Sequence, residues 1–155
     1  MALVNSHLDK SMKLFKVMQE IGLDPDVVVY NSLINVMCYV GVLRMSRGLF
    51  CNLFSKQLLP DIRTYSIMIK GHCKQGLTIE AYILFRKMEE YGCLPECWSY
   101  NVMVRGFLQN NDSSNAMELL TEMVRKGFSA DSFTVGMLVD SASNDEIVRD
   151  FMLSP

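Results

Sequence analysis

The sequence predicts an all-α fold, a right-handed α-solenoid of helix-turn-helix repeats with a period of 35 residues. Two observations predict it. Residues of the same type recur at this spacing along the chain, and apolar residues within each unit are spaced three and four apart, which is helical periodicity rather than strand alternation. Because a short helix pair cannot bury its apolar face alone, neighbouring pairs are expected to stack into one continuous core.

The 35-residue period appears as columns of equivalent positions. Each proline of one column is followed at once by an acidic residue and five positions later by a tyrosine. These columns are Pro25, Pro60 and Pro95; Asp26, Asp61, Glu96 and Asp131; and Tyr30, Tyr65 and Tyr100. Small residues and a further apolar column keep the same register at Ser11, Ser46, Ala81 and Ala116, and at Ile34, Ile69, Val104 and Val139.

This register divides the chain into segments of one repeat domain, 1–155. The segments are a half repeat (1–26), three full repeats (27–61, 62–96 and 97–131), and a degenerate repeat with an amphipathic capping tail (132–155). The half repeat aligns only with the second helix of a full unit, so its first helix has no equivalent in the sequence.

The middle unit indicates how each helix pair begins and ends. Its first helix is predicted over 62–75, since Pro60 ends the preceding element and Asp61 can accept backbone N–H bonds as N-cap. Gly76 ends that helix because glycine adopts the left-handed conformation at low cost. The second helix is predicted over 78–91.

Composition excludes several classes of protein. With 155 residues, 50% hydrophobic and 21% charged, the chain is long enough for one domain and too apolar for intrinsic disorder. A formal net charge of −2 does not favour wholesale attraction to nucleic acid or to anionic membranes. No apolar run approaches the roughly 18 residues of a membrane-spanning helix. Five cysteines without a signal peptide indicate free thiols in a reducing compartment.

The predicted first helices carry a basic and polar stripe that the core is not expected to use. Segments 27–40, 62–75 and 97–109 contain four basic residues and no acidic one. At helical spacing the stripe holds Val28, Asn31 and Asn35; Arg63, Ser66, Lys70 and Lys74; and Trp98, Asn101 and Arg105. Basic groups contact phosphates, whereas amides and hydroxyls read the edges of unstacked bases. The alternative is an ordinary solvated helix face.

Three segments also carry the signature of a known family. They read VVVYNSLINVMCYVG, IRTYSIMIKGHCKQGLTIEAYILFRKMEEYGCLPE and CWSYNVMVRGFLQNNDSSNAMELLTEMVRKGFSAD. Their Tyr-Asn or Tyr-Ser start, Gly corner, Ala/Leu-Phe-Met second helix and Gly-x-x-Pro-Asp end resemble a P-type pentatricopeptide repeat (PPR) protein. The chain is similar to the C-terminal part of a restorer-of-fertility-like array. The tetratricopeptide signature fits less well, because the only tryptophan is Trp98.

The resemblance implies sequence-specific binding of single-stranded RNA, with one base per repeat. The fifth and last residues of each unit are the implied base-reading pairs, namely Asn31 with Asp61, Ser66 with Glu96, and Asn101 with Asp131. The second residues of successive units, Val28, Arg63, Trp98 and Phe133, would flank the bases. Phosphate contacts would come from Lys70, Lys74 and Arg105. The implied order is uracil, a weakly assigned purine and uracil, because Glu96 departs from the family's aspartate.

Structural roles remain open for the same residues. Asp26, Asp61 and Asp131 also fit helix N-caps, and capping is compatible with base reading. Asn31 and Asn101 also fit local hydrogen bonding near the start of a helix. Trp98 fits half-buried packing as well as base stacking, and its place on the polar stripe favours stacking.

Catalytic and metal-binding signals are weak. His7 and His72 are the only histidines, and the position of His72 on the buried side favours a packed core residue. Cys93 and Cys97 form a C-x3-C spacing without a second pair or a nearby histidine, which does not indicate zinc. We therefore expect binding without catalysis, no metal and no cofactor.

The resemblance further implies a plant mitochondrial or plastid (chloroplast) protein that processes or stabilises organellar transcripts. No Arg-rich presequence is evident in the chain, so this localisation depends on the resemblance alone. The unpaired N-terminal helix leaves open a homodimer or another partner contact, and no membrane association is expected. The alternative functions are a helical-repeat scaffold for proteins and a non-functional truncated copy.

Overall fold

The computed structural model describes residues 2–155, and the regular elements within that range are helices alone. In chain order they are α1 (Ala2–Glu20), α2 (Val27–Val40), α3 (Leu43–Ser55), α4 (Ile62–Lys74), α5 (Thr78–Glu90), α6 (Cys97–Gln109), α7 (Ser113–Arg125), α8 (Ser132–Ala142) and α9 (Glu146–Leu153). Met1, the first residue of the predicted half repeat, lies outside the described residues. No helix within residues 2–155 has the length and apolar character needed to cross a membrane.

The helices pack as a two-layer stack of hairpins. Helices α2 and α3, α4 and α5, α6 and α7, and α8 and α9 pair with each other. The row α2, α4, α6 and α8 forms one layer, in which each helix packs on the next, and the second helices lie behind it. The predicted all-α repeat solenoid is therefore confirmed, with the first helices forming one shared wall.

Acidic N-caps begin three of the four first helices. The carboxylates of Asp26, Asp61 and Asp131 accept the backbone N–H three residues further on, at 3.0, 2.8 and 2.8 Å. The capping role considered for these aspartates is thus confirmed. Glu96 occupies the same place before α6, but its longer side chain makes no capping hydrogen bond.

The core follows the predicted columns over three repeats and departs from them at the end. Tyr30, Tyr65 and Tyr100 are buried, and so are Ile34, Ile69 and Val104. Val139, the fourth member of the apolar column, is instead 52% exposed. Its helix α8 packs on α6 and α9, and no further first helix within the described residues covers its other side.

Two glycines allow neighbouring first helices to approach closely. An ideal Cβ built on Gly71 would lie 2.6 Å from both Cβ and Sγ of Cys38. One built on Gly106 would lie 2.9 Å from Cβ of Cys73 and closer still to its sulfur. Both pairs are repeat equivalents, so a cysteine of one unit packs into the gap left by a glycine of the next.

We expect Gly106→Ala to destabilise the protein and Gly48→Ala to stabilise it, with a difference of about 2 kcal/mol. Both glycines lie within helices, so both substitutions gain helix propensity. Only Gly106 lacks space for a methyl group, since nothing lies within 4 Å of a Cβ at Gly48. Urea unfolding of both variants measures the difference, and an equal gain in stability would contradict the close packing described for α4 and α6.

Candidate nucleic-acid interface

Two adjoining cavities run along the wall formed by the first helices. The larger encloses about 660 Å³ and is lined by Asn35, Asp61, Ile62, Arg63, Ser66, Ile67, Lys70, Glu96, Trp98 and Ser99. The second encloses about 520 Å³ and is lined by Lys70, Cys73, Lys74, Trp98, Val102, Arg105, Gln109 and Phe133. Because Lys70 and Trp98 line both cavities, the two form successive stretches of one groove.

The groove is divided by the residues expected to flank bases. Arg63 and Trp98 line the first cavity, and Trp98 and Phe133 line the second. These side chains and Val28 are all exposed, and Trp98 exposes 48% of its surface. Trp98 therefore stands between the two cavities, where its ring has room for a planar group on either side. Its exposure favours stacking over the alternative of packing into the core.

The first expected reading pair is in direct contact. Asn31 lies at the start of α2 and Asp61 at the corner before α4, and Nδ2 of Asn31 donates to Oδ1 of Asp61 at 3.2 Å. The same carboxylate oxygen also accepts the backbone N–H and the hydroxyl of Thr64, both at 2.8 Å. Oδ1 of Asn31 is buried and has no hydrogen-bond partner among residues 2–155.

The pair in the third repeat is also in contact, but through different atoms. Oδ1 of Asn101 accepts the backbone N–H of Asp131 at 2.9 Å. Its Nδ2 donates to the carbonyl oxygens of Cys97 and Ser129, at 2.9 and 3.3 Å. The side-chain amide of Asn101 is thus fully engaged in holding the corner before α8, and the expectation of local hydrogen bonding holds for this residue.

The middle pair differs again, since Ser66 and Glu96 share a cavity without touching. Both line the larger cavity. The hydroxyl of Ser66 is buried and has no hydrogen-bond partner within the described range, while Glu96 is exposed. A hydroxyl that can both donate and accept therefore lies buried and unpaired beside the larger cavity.

The polar stripe lies deeper than its sequence pattern suggests. We expected the core not to use Asn31, Ser66 and Asn101, yet they are only 4%, 3% and 1% exposed. The close packing of successive first helices buries all three positions, of which Ser66 lines the larger cavity, so the expectation that the core does not use them is wrong. Their neighbours one turn on, Asn35 and Lys70, are exposed and line the cavity, as does Ile67, which the sequence interpretation did not single out.

The three expected phosphate-binding residues occupy different surroundings. Lys70 is exposed, lines both cavities and forms no ion pair within residues 2–155. Nζ of Lys74 lies 4.4 Å from the ring centroid of Tyr39 and donates to the Tyr39 carbonyl at 3.2 Å. Arg105 pairs with Asp131, at 2.8 Å between Nη1 and Oδ2. Lys70 is accordingly the member of this set whose charge is least engaged.

Hydrogen bonds keep the corner carboxylates ionised. Burial raises the pKa of Asp61, but hydrogen bonds from Thr64 and Asn31 outweigh it, and the pKa lies below its ordinary value. At Asp131 burial also raises the pKa, but hydrogen bonds from Thr134 and Arg105 outweigh it, and the pKa lies below its ordinary value. Both groups are therefore anions at neutral pH and act only as hydrogen-bond acceptors.

The buried residues His72 and Cys73 have the surroundings of packed core residues. His72 is buried, its Nδ1 lies 2.7 Å from the Met68 carbonyl, and its Nε2 accepts a hydrogen bond from Arg47 at 3.0 Å. Burial lowers the pKa of His72, which favours the neutral ring. Burial also raises the pKa of Cys73 to about 12, so this thiol is a weak nucleophile. Across residues 2–155, no group of three or more potential ligands is placed to hold a metal ion.

Comparison with known proteins identifies the repeats. Residues 25–74, 60–109 and 98–144 match the PPR repeat family, and residues 2–40 match the pentatricopeptide repeat domain. Comparison with curated protein sequences finds no match.

Solved structures agree with the sequence matches. The pentatricopeptide repeat protein PPR10 from maize superposes on 96% of this chain with a TM-score of 0.83 and 29% identity. The chain covers 22% of that protein. PPR10 in complex with an 18-nucleotide psaJ RNA element gives a TM-score of 0.82 at 29% identity, over 93% of this chain and 22% of that one.

A more distant structure shares the fold alone. The PPR domain of Arabidopsis thaliana protein-only RNase P 1, solved with tRNA, is 18% identical with a TM-score of 0.71. The match covers 97% of this chain and 86% of that one. Since the family matches together extend over most of its length, the chain belongs to the pentatricopeptide repeat family.

Proposed function

We propose that the chain binds single-stranded RNA in a sequence-specific manner, with one base per repeat held in the groove along the first helices. The observation that carries this proposal is the pair of cavities, each large enough to admit a base, that lie on either side of the exposed ring of Trp98. The similarity to PPR10, whose structure has been solved with an RNA element, supports it at 29% identity. Lys70 lines both cavities and supplies a positive charge between successive sites.

The chemistry of the groove is suited to unpaired bases. Arg63 and Trp98 bound the larger cavity, and both a guanidinium plane and an indole ring stack well on a base. Uracil presents an N3–H donor on its Watson–Crick edge, which an ionised aspartate can accept. The first and third repeats carry such an aspartate at Asp61 and Asp131, so we assign uracil to both. The middle site, with Ser66 and Glu96, remains a weak purine assignment.

The repeats act in this proposal by binding alone, without catalysis. Among the residues that line the groove, we assign none to a catalytic role. Family membership and the similarity to the maize protein are consistent with a mitochondrial or plastid location. Within an organelle, occupancy of a transcript would stabilise it or direct its processing.

A protein scaffold is the alternative function, and one surface favours it. Leu14 and Val17 are exposed on α1, and Ile21, directly after the end of that helix, continues the same spacing of three and four residues. Such an apolar stripe is suited to a partner helix or to the same helix of a second copy. Under this alternative, RNA binding would be weak and would ignore both base sequence and salt.

Titration with short RNAs containing UGU, UAU or a scrambled core tests the RNA-binding proposal. We expect the matched cores to bind more tightly than the scrambled one, with affinity falling as salt rises. Trp98→Ala should weaken the matched complexes by about tenfold, because one stacking platform is lost.

Tyr91→Ala is the matched control for Trp98→Ala, since Tyr91 is also an exposed aromatic residue but lies at a corner outside the groove. It should leave RNA affinity unchanged. Binding of every RNA with the same affinity, or equal effects of the two substitutions, would count against the groove as the binding site.

A further inference from the structure

The Asn/Asp reading pair occurs twice in the chain, in surroundings that differ at one repeat position. Four residues after Asn31 the first repeat has Asn35, whereas four residues after Asn101 the third repeat has Arg105. Both positions face the groove. Equal reading pairs therefore do not make equal sites, because Arg105 forms an ion pair with Asp131, whereas Arg63 acts on Asp61 only through its nearby charge.

Several contacts fix the Arg105 side chain beside Asp131, the carboxylate of the third base site. Its Nη1 lies 2.8 Å from Oδ2 and 3.1 Å from Oδ1 of Asp131, and 3.2 Å from the hydroxyl of Thr134. Its guanidinium carbon lies 5.3 Å from the ring centroid of Phe133, one of the residues expected to flank the third base. The Arg105 side chain is only 17% exposed.

The two carboxylates consequently offer different acceptor atoms to a base. In the first repeat, the Thr64 and Asn31 hydrogen bonds all go to Oδ1 of Asp61, and Oδ2 has no partner within residues 2–155. In the third repeat, Thr134 and Arg105 occupy Oδ1 of Asp131, and Arg105 also occupies Oδ2. An incoming base donor thus meets a free oxygen at Asp61 and an engaged one at Asp131.

The side-chain amides of Asn31 and Asn101 also differ in how many of their polar atoms form hydrogen bonds. Oδ1 of Asn31 is unpaired, whereas both polar atoms of Asn101 are engaged with the corner backbone. Both amides are buried, so the carboxylate is the exposed member of each pair, and at the third site a base donor must compete with Arg105 for it.

We propose that Arg105 is a specificity-determining residue of the third base site, where it weakens discrimination between uracil and cytosine by occupying the carboxylate of Asp131. This inference rests on the proposed RNA-binding function. Uracil carries a donor at N3 and cytosine an acceptor, so a free carboxylate favours uracil and disfavours cytosine. Once Arg105 neutralises and occupies that carboxylate, the distinction becomes smaller. The first site, with Asn35 in place of the arginine, keeps the full distinction.

The repeat symmetry supplies reciprocal variants for the test. Arg105→Asn gives the third repeat the residue of the first, and Asn35→Arg does the reverse. RNAs with uracil replaced by cytosine at either the first or the third base are titrated against the 155-residue chain and each variant. The measured quantity is the ratio of the cytosine to the uracil dissociation constant at each position.

The parent should show a larger ratio at the first base than at the third. Arg105→Asn should raise the ratio at the third base by roughly threefold, the scale of a surface ion pair, and leave the first unchanged. Asn35→Arg should lower the ratio at the first base. In the free protein, Arg105→Asn should also raise the pKa of the Asp131 carboxyl, followed by NMR titration.

Each contrary result has a distinct meaning. If Arg105→Asn weakens all RNAs equally, Arg105 is a phosphate contact and the inference is overturned, while the proposed function stands. Unchanged ratios in both variants overturn it in the same way. If the parent binds none of the RNAs, the proposed function fails and this inference fails with it.

Discussion

Phe85→Ala is expected to lower the free energy of unfolding by about 3–5 kcal/mol, which is the usual cost of deleting a buried aromatic ring. Phe85 is 0% exposed. Its ring centroid lies 5.1 Å from that of Tyr100 in an edge-to-face arrangement and 6.3 Å from that of Tyr82. Because Phe85 belongs to α5 and Tyr100 to α6, the ring joins the second repeat to the third.

The position of Phe85 between repeats makes its loss severe. In a linear stack each repeat is stabilised chiefly by its neighbours, so a cavity at one interface weakens the units on both sides. Urea unfolding followed by circular dichroism measures the effect. Ile83→Ala is the control on the same helix, since Ile83 is exposed and its truncation should cost less than about 1 kcal/mol.

If Phe85→Ala does not fold, Phe85→Leu keeps the prediction testable, with a smaller expected loss. A change for Phe85→Ala no larger than that for Ile83→Ala would show that the interface between the second and third repeats is not held by this ring.

The fold could be predicted from the sequence because its causes are local and repeated. A tyrosine such as Tyr65 recurs on the buried side of the first helix in each full repeat, and an acidic residue such as Asp61 recurs directly before each first helix. Both features follow from helical periodicity and capping chemistry, which act over a few residues. Because the same local signals recur every 35 residues, together they predict the helix pairs more clearly than any one of them does alone.

The depth of the reading residues could not be predicted in the same way. Helical periodicity gives the direction of Asn31 or Asn101 around its helix, but not the distance to the next helix. That distance depends on contacts between repeats, such as Gly106 against Cys73. Because the helices approach so closely, Asn31 and Asn101 are buried although the sequence places them on the polar stripe.

Ion pairs between different structural elements could not be predicted from the sequence pattern either. Arg105 lies on α6 and Asp131 is the N-cap of α8, 26 positions further along the chain. The sequence interpretation assigned the first to a phosphate and the second to a base, whereas the two side chains contact each other. Charge patterns within one helix do not reveal such pairs, since their geometry is set by the stacking of repeats.

Glu122→Gln is expected to destabilise the protein by about 2 kcal/mol through a charged network on the second-helix layer. Glu122 of α7 accepts hydrogen bonds from Nη1 of Arg86 at 2.9 Å and from the Tyr100 hydroxyl at 2.8 Å. Arg86 belongs to α5, so the network connects successive second helices. Neutralising Glu122 leaves the partly buried guanidinium of Arg86 without its principal counter-charge.

The same group makes stability depend on acid pH. The hydrogen bond from Arg86 is the main cause that lowers the pKa of Glu122 to about 2, from an ordinary value of 4.5. A carboxyl with a lowered folded-state pKa contributes stability that is fully present above 4.5 and is lost as the pH falls towards 2. We therefore expect the free energy of unfolding to fall over this interval, and less steeply in Glu122→Gln.

Urea unfolding of the parent and the variant between pH 7 and pH 2 measures both effects. Glu118→Gln is the matched control, because Glu118 lies one turn earlier on α7, is exposed and forms no ion pair within the described residues. It should change neither the stability at pH 7 nor the slope with pH. If the two glutamine variants behave alike, the charged network does not stabilise the second-helix layer, and apolar contacts such as that of Phe85 alone must hold the repeats together.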